Sequence, residues 1–137
     1  MVADDYPTVI ELWRRTDGIG LNESDSLDAI VAYLERNPGM SAVCQSDTGE
    51  IVGAVLCGHD GRRGYLHHLA VVPGLRRRGV ANRLLTWCFD RLHDAAIPKC
   101  NVFLFNDNHD GASFWQHVGW QHRSDLVVVQ KTIRRER

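Results

Sequence analysis

Apolar residues near the start of the chain recur at the spacing of a helix. In residues 6–16, Pro7 occupies a place that a first helical turn tolerates, and Val9 and Trp13 follow at helical intervals. In residues 24–39 the apolar positions form one stripe after a Ser/Asp cluster that can cap a helix, and the segment stops at Asn-Pro-Gly. The pattern predicts two amphipathic helices.

The next part of the chain has the alternation of short strands. Residues 40–58 hold two apolar runs around Asp47-Thr48-Gly49, which is a hairpin signal. A second turn, HDGRRG, leads into the apolar run YLHHLAVV. We therefore expect the sheet to begin as an antiparallel meander.

Helical periodicity returns after residue 74 and then gives way to another strand. The segment ends before Pro98, and the apolar run CNVFLF (residues 100–105) follows it. A strand, a helix and a strand in this order form a βαβ crossover, which implies a parallel pair with a right-handed connection. The apolar positions of this helix are Ala81, Leu84, Leu85, Cys88 and Leu92.

The last part of the chain predicts one more helix and one more strand. Residues 110–119 fit a short helix that stops at Gly119, and residues 125–133 (DLVVVQKTI) fit a final strand. The whole pattern predicts an α+β fold in a single domain, residues 1–137, with helices on both faces of a mixed sheet. An exposed last strand could pair with a second copy, so both a monomer and a homodimer are expected alternatives.

Composition narrows the class of protein. The 137 residues are 44% hydrophobic, and the formal net charge is -1, so no overall field attracts nucleic acid or an anionic membrane. No apolar run approaches the ~20 residues that span a bilayer. The four cysteines lie far apart without a C-x-x-C pair, and the seven histidines lack zinc-site spacing. We expect a cytoplasmic protein with reduced thiols and no metal.

The clearest chemical signal lies where the third strand meets the crossover helix. An apolar strand runs into RRRGVA (residues 76–81) and straight on into the helix, whose first N–H groups are unpaired and lie at the positive end of its dipole. Gly79 and Ala81 let a phosphate approach the backbone, and arginines can pair with its further oxygens. The alternative is a basic, solvated loop before an ordinary helix.

This loop resembles the pyrophosphate loop of the GNAT superfamily of N-acetyltransferases. The resemblance rests on Arg76, Gly79 and Ala81 after LAVVP, and it extends over essentially the whole chain. The segment NHDGASFWQHVGW (residues 108–120) lies where the family has its last short helix. The resemblance implies a GNAT-like, mostly antiparallel sheet with a central βαβ crossover. It also implies acetyl-coenzyme A (acetyl-CoA) as cosubstrate.

The resemblance also assigns the residues that bind acetyl-CoA. A bulge at residues 69–71 would splay the third strand from the next, and the pantetheine would fill the wedge, where Asn108 would also reach it. Backbone groups for the pantetheine and thioester would come from Leu69, Ala70 and Val71. The pyrophosphate would lie on Arg76, Arg77, Arg78, Gly79, Val80, Ala81 and Asn82.

Two positions depart from the family pattern. Trp115 stands where many members have a tyrosine that protonates the departing thiolate, and an indole N–H donates a hydrogen bond but does not titrate. Packing in the core is the alternative role for Trp115. Phe103 stands where some members that acetylate protein N-termini have a glutamate base, which disfavours that substrate class.

His67 is the candidate general base, because an ammonium group must lose a proton before its nitrogen attacks a thioester. The arylalkylamine N-acetyltransferases, which this strand resembles, have histidines here, and a neutral imidazole is available near pH 7. A half-buried packing histidine is the alternative. Strand alternation predicts Tyr65 and His67 on the face of Leu69 and Val71, with a structural His68 on the other face, although a bulge would shift the pattern beyond it.

Weaker candidates lie in two loops. Asp60 and Arg63 belong to a turn that could border the acceptor pocket, although Asp-Gly is ordinary turn chemistry. Glu23 or Asp25, in an acidic loop where family members cover the acceptor site, could meet an ammonium group. A solvated loop is the alternative there.

Three functions remain from the sequence. The favoured one is an N-acetyltransferase that moves an acetyl group from acetyl-CoA to a primary amine by direct attack, with the Val71 N–H on the thioester oxygen. The alternative is an acyl-CoA binding or sensing module with little catalysis, as Trp115 and Phe103 suggest. A nucleic-acid binder using residues 76–78 and the terminal RRER is disfavoured by the net charge. The acceptor stays open between a small-molecule amine and an exposed protein amine.

Overall fold

A computed structural model describes residues 1–133, so the terminal RRER (residues 134–137) of the nucleic-acid alternative lies outside the described residues. The helices are α1 (Tyr6–Arg14), α2 (Leu27–Arg36), α3 (Val80–Asp94) and α4 (His109–His117). The strands are β1 (Ala42–Gln45), β2 (Ile51–His59), β3 (Gly64–Val71) and β4 (Cys100–Val102). The chain divides into two compact units, Met1–Phe103 and Leu104–Arg137.

The sheet lies in the first unit, and its strands follow one another in the order β1-β2-β3-β4. The first two pairs are antiparallel and the β3–β4 pair is parallel, with α3 as the crossover between them. The predicted meander and βαβ unit are therefore confirmed, and so is the α+β class. The strand predicted at residues 100–105 is shorter than expected, since only Cys100–Val102 form β4.

Helices cover both faces of the sheet, as predicted. On one face, α1 and α2 bury apolar side chains against the β2 and β3 residues Ala54, Leu56 and Ala70. On the opposite face α3 lies so close to β2 that a Cβ on Gly53 would be 2.9 Å from a Val80 methyl group. This close approach fixes the start of α3 beside the end of β3.

Local signals set the ends of these helices. The Ser26 hydroxyl accepts the Ala29 N–H at 3.2 Å and caps α2, as the Ser/Asp cluster predicted.

Three of the four cysteines are buried and all four are free thiols, which agrees with the expected buried, reduced state. Among the described residues, no helix is both long and apolar enough to cross a membrane.

In the second unit, α4 is present as predicted. Gly119 follows it with φ of +95°, which is the left-handed stop that its sequence indicated. The final strand predicted at residues 125–133 is wrong, since these residues form no strand and Val127 is 86% exposed. The β-branched run has the propensity of a strand, but a strand forms only where a neighbour pairs its backbone and covers its apolar side.

Candidate active site

A β-bulge interrupts β3 close to the predicted base. Ala54 pairs with Ala70 and Leu56 pairs with His67, so two residues of β3, His68 and Leu69, lie opposite one residue of β2. His68 has φ of +56°, a left-handed conformation that is costly for a residue with a side chain. The bulge begins one residue before the position that the family resemblance implied.

The His68 side chain holds the bulge against the loop that precedes α2. Its Nε2 lies 2.8 Å from Asp25 Oδ1, and its ring centroid lies 5.0 Å from that of the buried Trp13. The exposed fraction of the side chain is 18% for His68 and 6% for Asp25. Asp25 Oδ2 also accepts the Asn22 N–H at 3.0 Å. A hydrogen-bonded pair, buried at Asp25 and partly buried at His68, therefore joins the bulge to the loop.

The bulge overturns the predicted distribution of β3 side chains. Because it inserts a residue, Ala70 joins the core of the α1 and α2 face, which His67 shares, and Val71 moves to the α3 face. The predicted grouping of His67 with Val71 is therefore wrong. The prediction that His68 faces the other way is also wrong, since its ring contacts Trp13 of α1.

His67 lies in a half-buried, aromatic environment. Burial lowers the pKa of its imidazole below the usual range, the charge of His68 acts in the same direction, and Asp25 opposes them. The Tyr33 ring lies edge-on to the imidazole, and the two ring centroids are 6.2 Å apart. His67 is therefore kept neutral near pH 7, which is the state in which an imidazole accepts a proton.

Beyond His67 the outer edge of β3 is open within the first unit. Pairing with β4 ends at Leu66 and Val102, whereas β3 continues to Val71. The Val72 N–H donates to Val52 at 2.9 Å, so Val71, one residue earlier, directs its own N–H and C=O away from β2. By the same alternation, the backbone groups of Ala70 face β2. Within the first unit, the Val71 N–H is therefore directed out of the sheet at this edge.

The loop after β3 presents backbone donors and arginines to solvent. Gly79 precedes α3 with φ of +82°, and a side chain built there would meet no atom within 4 Å. The first helical hydrogen bond runs from the Arg83 N–H to the Gly79 carbonyl, so it does not use the N–H groups of residues 80–82. Arg77 and Arg78 are exposed, and Arg76 Nε donates to the Val71 carbonyl at 3.3 Å.

This arginine contact links the loop to the open edge of β3. Since Arg76 occupies the Val71 carbonyl, the Val71 N–H remains as the polar group of that residue at the edge. The structure thus brings together the predicted residues of β3, the loop and the start of α3.

The two predicted site residues of the second unit have local roles there. The Asn108 side chain caps α4 by accepting the Gly111 N–H at 2.9 Å. Trp115 is buried, and its ring centroid lies 4.6 Å from that of Trp120 and 5.2 Å from that of Phe114. Trp115 therefore packs in an aromatic core within its own unit.

The weaker loop candidates have partners of their own. The Asp60 carboxylate accepts the N–H groups of Arg62 and Arg63 at 2.8 Å, which is the ordinary turn chemistry considered above. Asp25 is neither solvated nor free to meet an ammonium group, because His68 and Asn22 occupy it. Glu23 is exposed.

Two features of the site escaped the sequence. The Asp25–His68 contact joins residues 43 positions apart, and no spacing rule connects them. Tyr33 lies on α2, and nothing in the sequence pattern indicated that it would contact His67. The one signal in the sequence was Asp25 itself, a polar residue at the end of an otherwise solvated loop. It did not specify His68 as its partner.

Comparison with known proteins agrees with this geometry. The acetyltransferase (GNAT) family profile matches residues 6–120. An acetyltransferase of Sodalis glossinidius (strain morsitans) is 30% identical over 130 residues, which make up 95% of this chain and 90% of the relative.

Solved structures share the fold at low identity. An aminoglycoside antibiotic 6′-N-acetyltransferase from Acinetobacter baumannii superposes with a TM-score of 0.77 at 15% identity, over 97% of this chain and 95% of that one. The PaiA N-acetyltransferase of Thermoplasma acidophilum, in complex with coenzyme A, gives 0.76 at 17% identity, over 88% and 86%. Together with the family profile and the curated relative, these matches show that the chain belongs to the GNAT family of acetyltransferases and is an enzyme that transfers an acetyl group from acetyl-CoA to an amine.

Proposed function

We propose that the acceptor is a primary amine that attacks the thioester directly in a ternary complex, with His67 as the general base. The observation that carries this proposal is the position of His67, which is half-buried and lies next to the bulge that precedes the open edge of β3. Its lowered pKa supports the role, because the neutral imidazole is the form that accepts a proton.

One ring nitrogen of His67 takes the proton that the ammonium group must lose. An alkylamine is mostly protonated near pH 7. A base beside it therefore increases the fraction of amine whose nitrogen has a free electron pair. His68 is not available for this proton, since its Nε2 is held by Asp25. The two adjacent histidines therefore have different roles, with His67 as the base and His68 as the support of the bulge.

The open edge of β3 and the loop fit acetyl-CoA, which supplies an acetyl group activated as a thioester. The Val71 N–H points out of the sheet and can donate to the thioester oxygen, where negative charge develops during attack. Leu69 belongs to the same bulged segment of β3, whereas the backbone groups of Ala70, which the resemblance assigned to acetyl-CoA, are directed to β2. We assign the thioester to this segment.

The pyrophosphate is assigned to the loop and the first turn of α3. The N–H groups of Val80, Ala81 and Asn82 lie at the positive end of a helix, and Gly79 leaves room for an anion. Arg76, Arg77 and Arg78 supply the positive charge around it.

The leaving thiolate needs little help from an acid. An alkyl thiol has a pKa of about 8.5, so solvent can protonate it near pH 7. Trp115 stands where many family members have a titrating tyrosine, and an indole N–H donates a hydrogen bond but does not titrate.

We also propose the domain organisation, the cellular location and the partners of the enzyme. We assign residues 1–137 to one acetyltransferase domain, which the family match across residues 6–120 supports. Four free thiols support a reducing, cytoplasmic location. The acceptor is a small-molecule or protein amine, and the protein is a monomer or a homodimer without a nucleic-acid partner.

The test replaces the base and keeps the shape of the side chain. We expect His67→Gln to lower kcat by about 10²–10⁴-fold. The dissociation constant for acetyl-CoA should stay within about twofold, because no predicted cofactor contact is removed. His93→Gln is the matched control, since His93 is 91% exposed on α3. A His67→Gln variant with the kcat of the wild type would contradict the assignment.

A further inference from the structure

Asp25 belongs to a loop, yet it is held from three sides. Its Oδ1 lies 2.8 Å from His68 Nε2 on β3, and its Oδ2 accepts the Asn22 N–H at 3.0 Å. Its backbone carbonyl accepts the hydroxyl of Tyr6, on α1, at 2.6 Å. Among residues 1–133 it is the only buried residue that carries a carboxylate. Asp25 therefore joins the loop, α1 and β3 at one point.

The Asp25–His68 pair acts on the strained residue of β3. His68 has φ of +56°, and its ring is confined between the Asp25 carboxylate and the ring of Trp13. An ionised carboxylate only accepts, so Nε2 of His68 carries the proton of their hydrogen bond. A left-handed conformation persists in a residue with a Cβ only where the surroundings hold it. Asp25 supplies the polar part of that support.

The bulge decides which backbone N–H lies at the open edge of β3. Leu56 pairs with His67. An uninterrupted antiparallel ladder from this pair would place Ala70 opposite Gly53. In the structure Val71 stands opposite Gly53, because the bulge inserts one residue. Since a shift by one residue exchanges the groups that face β2 with those that face outward, the bulge is what directs the Val71 N–H to the edge.

A disturbed bulge affects the two groups of the proposed site unequally. The imidazole of His67 also contacts rings outside the bulge, since the centroids of Phe103 and Tyr33 lie 6.3 and 6.2 Å from its own. The Val71 N–H is part of the backbone, so its direction follows the torsions of the bulged residues before it. Loss of the Asp25 carboxylate should therefore displace this N–H more than the imidazole.

We propose that Asp25 is a positioning residue for acetyl transfer, and that it acts through His68 to hold the Val71 N–H against the thioester oxygen. This inference rests on the proposed function, because it takes the Val71 N–H as the donor to that oxygen. A donor in a fixed place stabilises the negative charge that develops on the oxygen during attack. That charge exists only in the transition state, so the effect falls on kcat and not on the affinity for acetyl-CoA.

The test replaces the carboxylate by an amide of the same size. Asp25→Asn has one acceptor oxygen, so it cannot accept from both His68 and Asn22. We expect kcat per folded enzyme to fall by about 10–100-fold, with the dissociation constant for acetyl-CoA within about threefold of wild type. The rate is measured with whichever of spermidine, kanamycin, 2-phenylethylamine and a short peptide the wild type acetylates fastest. Asp28→Asn is the matched control, since Asp28 is exposed in the first turn of α2.

The carbonyl of bound acetyl-CoA separates positioning from a general loss of structure. A hydrogen bond to the thioester oxygen weakens the C=O bond and lowers the frequency of its infrared band. With acetyl-CoA carrying ¹³C at the carbonyl, we expect a higher frequency in the Asp25→Asn complex than in the wild-type complex. The Asp28→Asn complex should match the wild type. This measurement needs no acceptor amine.

A second variant tests whether Asp25 acts through His68. Asparagine tolerates a positive φ, so His68→Asn should fold with a weakened contact to Asp25 and a lower kcat at unchanged affinity for acetyl-CoA. In this background Asp25→Asn should lower kcat by a smaller factor than in the wild type. If Asp25→Asn alone does not fold, His68→Asn decides the inference, and a wild-type kcat there would overturn it.

The outcomes separate this inference from the proposed function. A kcat of Asp25→Asn within about twofold of wild type, an equal loss of affinity for acetyl-CoA or an unmoved carbonyl band would each overturn the inference. The full effect of Asp25→Asn in the His68→Asn background would also overturn it. His67→Gln has both members of the pair, so a wild-type kcat there removes the base and leaves the inference standing. If the wild type acetylates none of the four amines, the carbonyl band decides the inference.

Discussion

The bulge in β3 and the loop before α3 lie within residues 66–85, yet they are held in different ways. At the bulge, His68 adopts a positive φ and its side chain bonds Asp25 and contacts Trp13. At the loop, Gly79 also has a positive φ, but a side chain built there would meet nothing within 4 Å. The bulge is shaped by buried tertiary contacts, whereas the loop is shaped by its own backbone torsions.

This difference follows from what each region has to do. The bulge must keep backbone groups of β3 in a fixed place, so its one strained residue is stabilised by packing and a buried hydrogen bond. Under the proposed function the loop leaves its N–H groups open to an anion, and glycine at its end does not fill the space above the helix end. We expect mutations in the loop to affect binding and mutations at the bulge to affect stability as well.

The largest effect is expected for Gly79→Glu in the loop. A side chain at φ of +82° is strained, and its carboxylate would compete with a phosphate for the first-turn N–H groups. Loss of one or two charge-assisted hydrogen bonds should raise the dissociation constant for acetyl-CoA by about 10–100-fold or more, as titration calorimetry measures.

Gly74→Glu provides the matched control for the loop. A side chain built on Gly74 also meets nothing within 4 Å, and its φ is not positive, so the same charge is introduced nearby without the strain. We expect a much smaller change in affinity. Equal effects of the two substitutions would mean that general repulsion, and not the helix end, weakens binding.

A smaller effect is expected at the bulge, on the free energy of unfolding. His68→Ala removes the partner of a buried carboxylate, which should cost about 1–3 kcal/mol in urea denaturation. The pair of His93 and Asp94 is the control, since its atoms are 3.8 Å apart and both side chains are exposed. His93→Ala should leave the free energy of unfolding unchanged within error.

A stable His68→Ala variant would remove the distinction between the two regions. It would show that the left-handed conformation of residue 68 does not depend on Asp25. His68→Asn offers a second check, because asparagine tolerates a positive φ and can still donate a hydrogen bond to a carboxylate. We expect its stability to lie between those of His68→Ala and the wild type.

The smallest effect is expected in the pH dependence of kcat/KM. The pKa of His67 is lowered, so the base is lost only as pH falls below the ordinary imidazole value of 6.5. The charged groups acting on it are His68, which lowers the pKa, and Asp25, which raises it. His68→Asn should therefore move the acid limb to higher pH with the same amine. An acid limb that moves to lower pH would contradict this sign.

The same comparison explains what the sequence could predict. The loop was identified from local signals, because glycine before a helix and arginines around it specify a torsion and a charge without any distant partner. Periodicity likewise predicted all four helices and the order of the strands, since each apolar stripe packs on one neighbour. These features depend on residues within a few positions of one another.

Features that depend on distant residues were not predictable. The predicted faces of Val71 and His68 were wrong, because strand alternation holds only up to a bulge. This bulge depends on the distant residues Asp25 and Trp13. The last strand at residues 125–133 was wrong because β propensity does not supply a pairing partner. The contact of Phe103 with His67 required the register of β3 and β4, which the sequence alone does not fix.

The most direct test of the account follows individual backbone amides by NMR hydrogen exchange, with and without acetyl-CoA. If the bulge and the loop form one binding site, acetyl-CoA should slow exchange at Val71, Ala81 and Asn82. It should leave Ala70 unchanged, because that N–H faces β2. Unchanged exchange at Val71 and at the first turn of α3, with acetyl-CoA bound, would contradict the account.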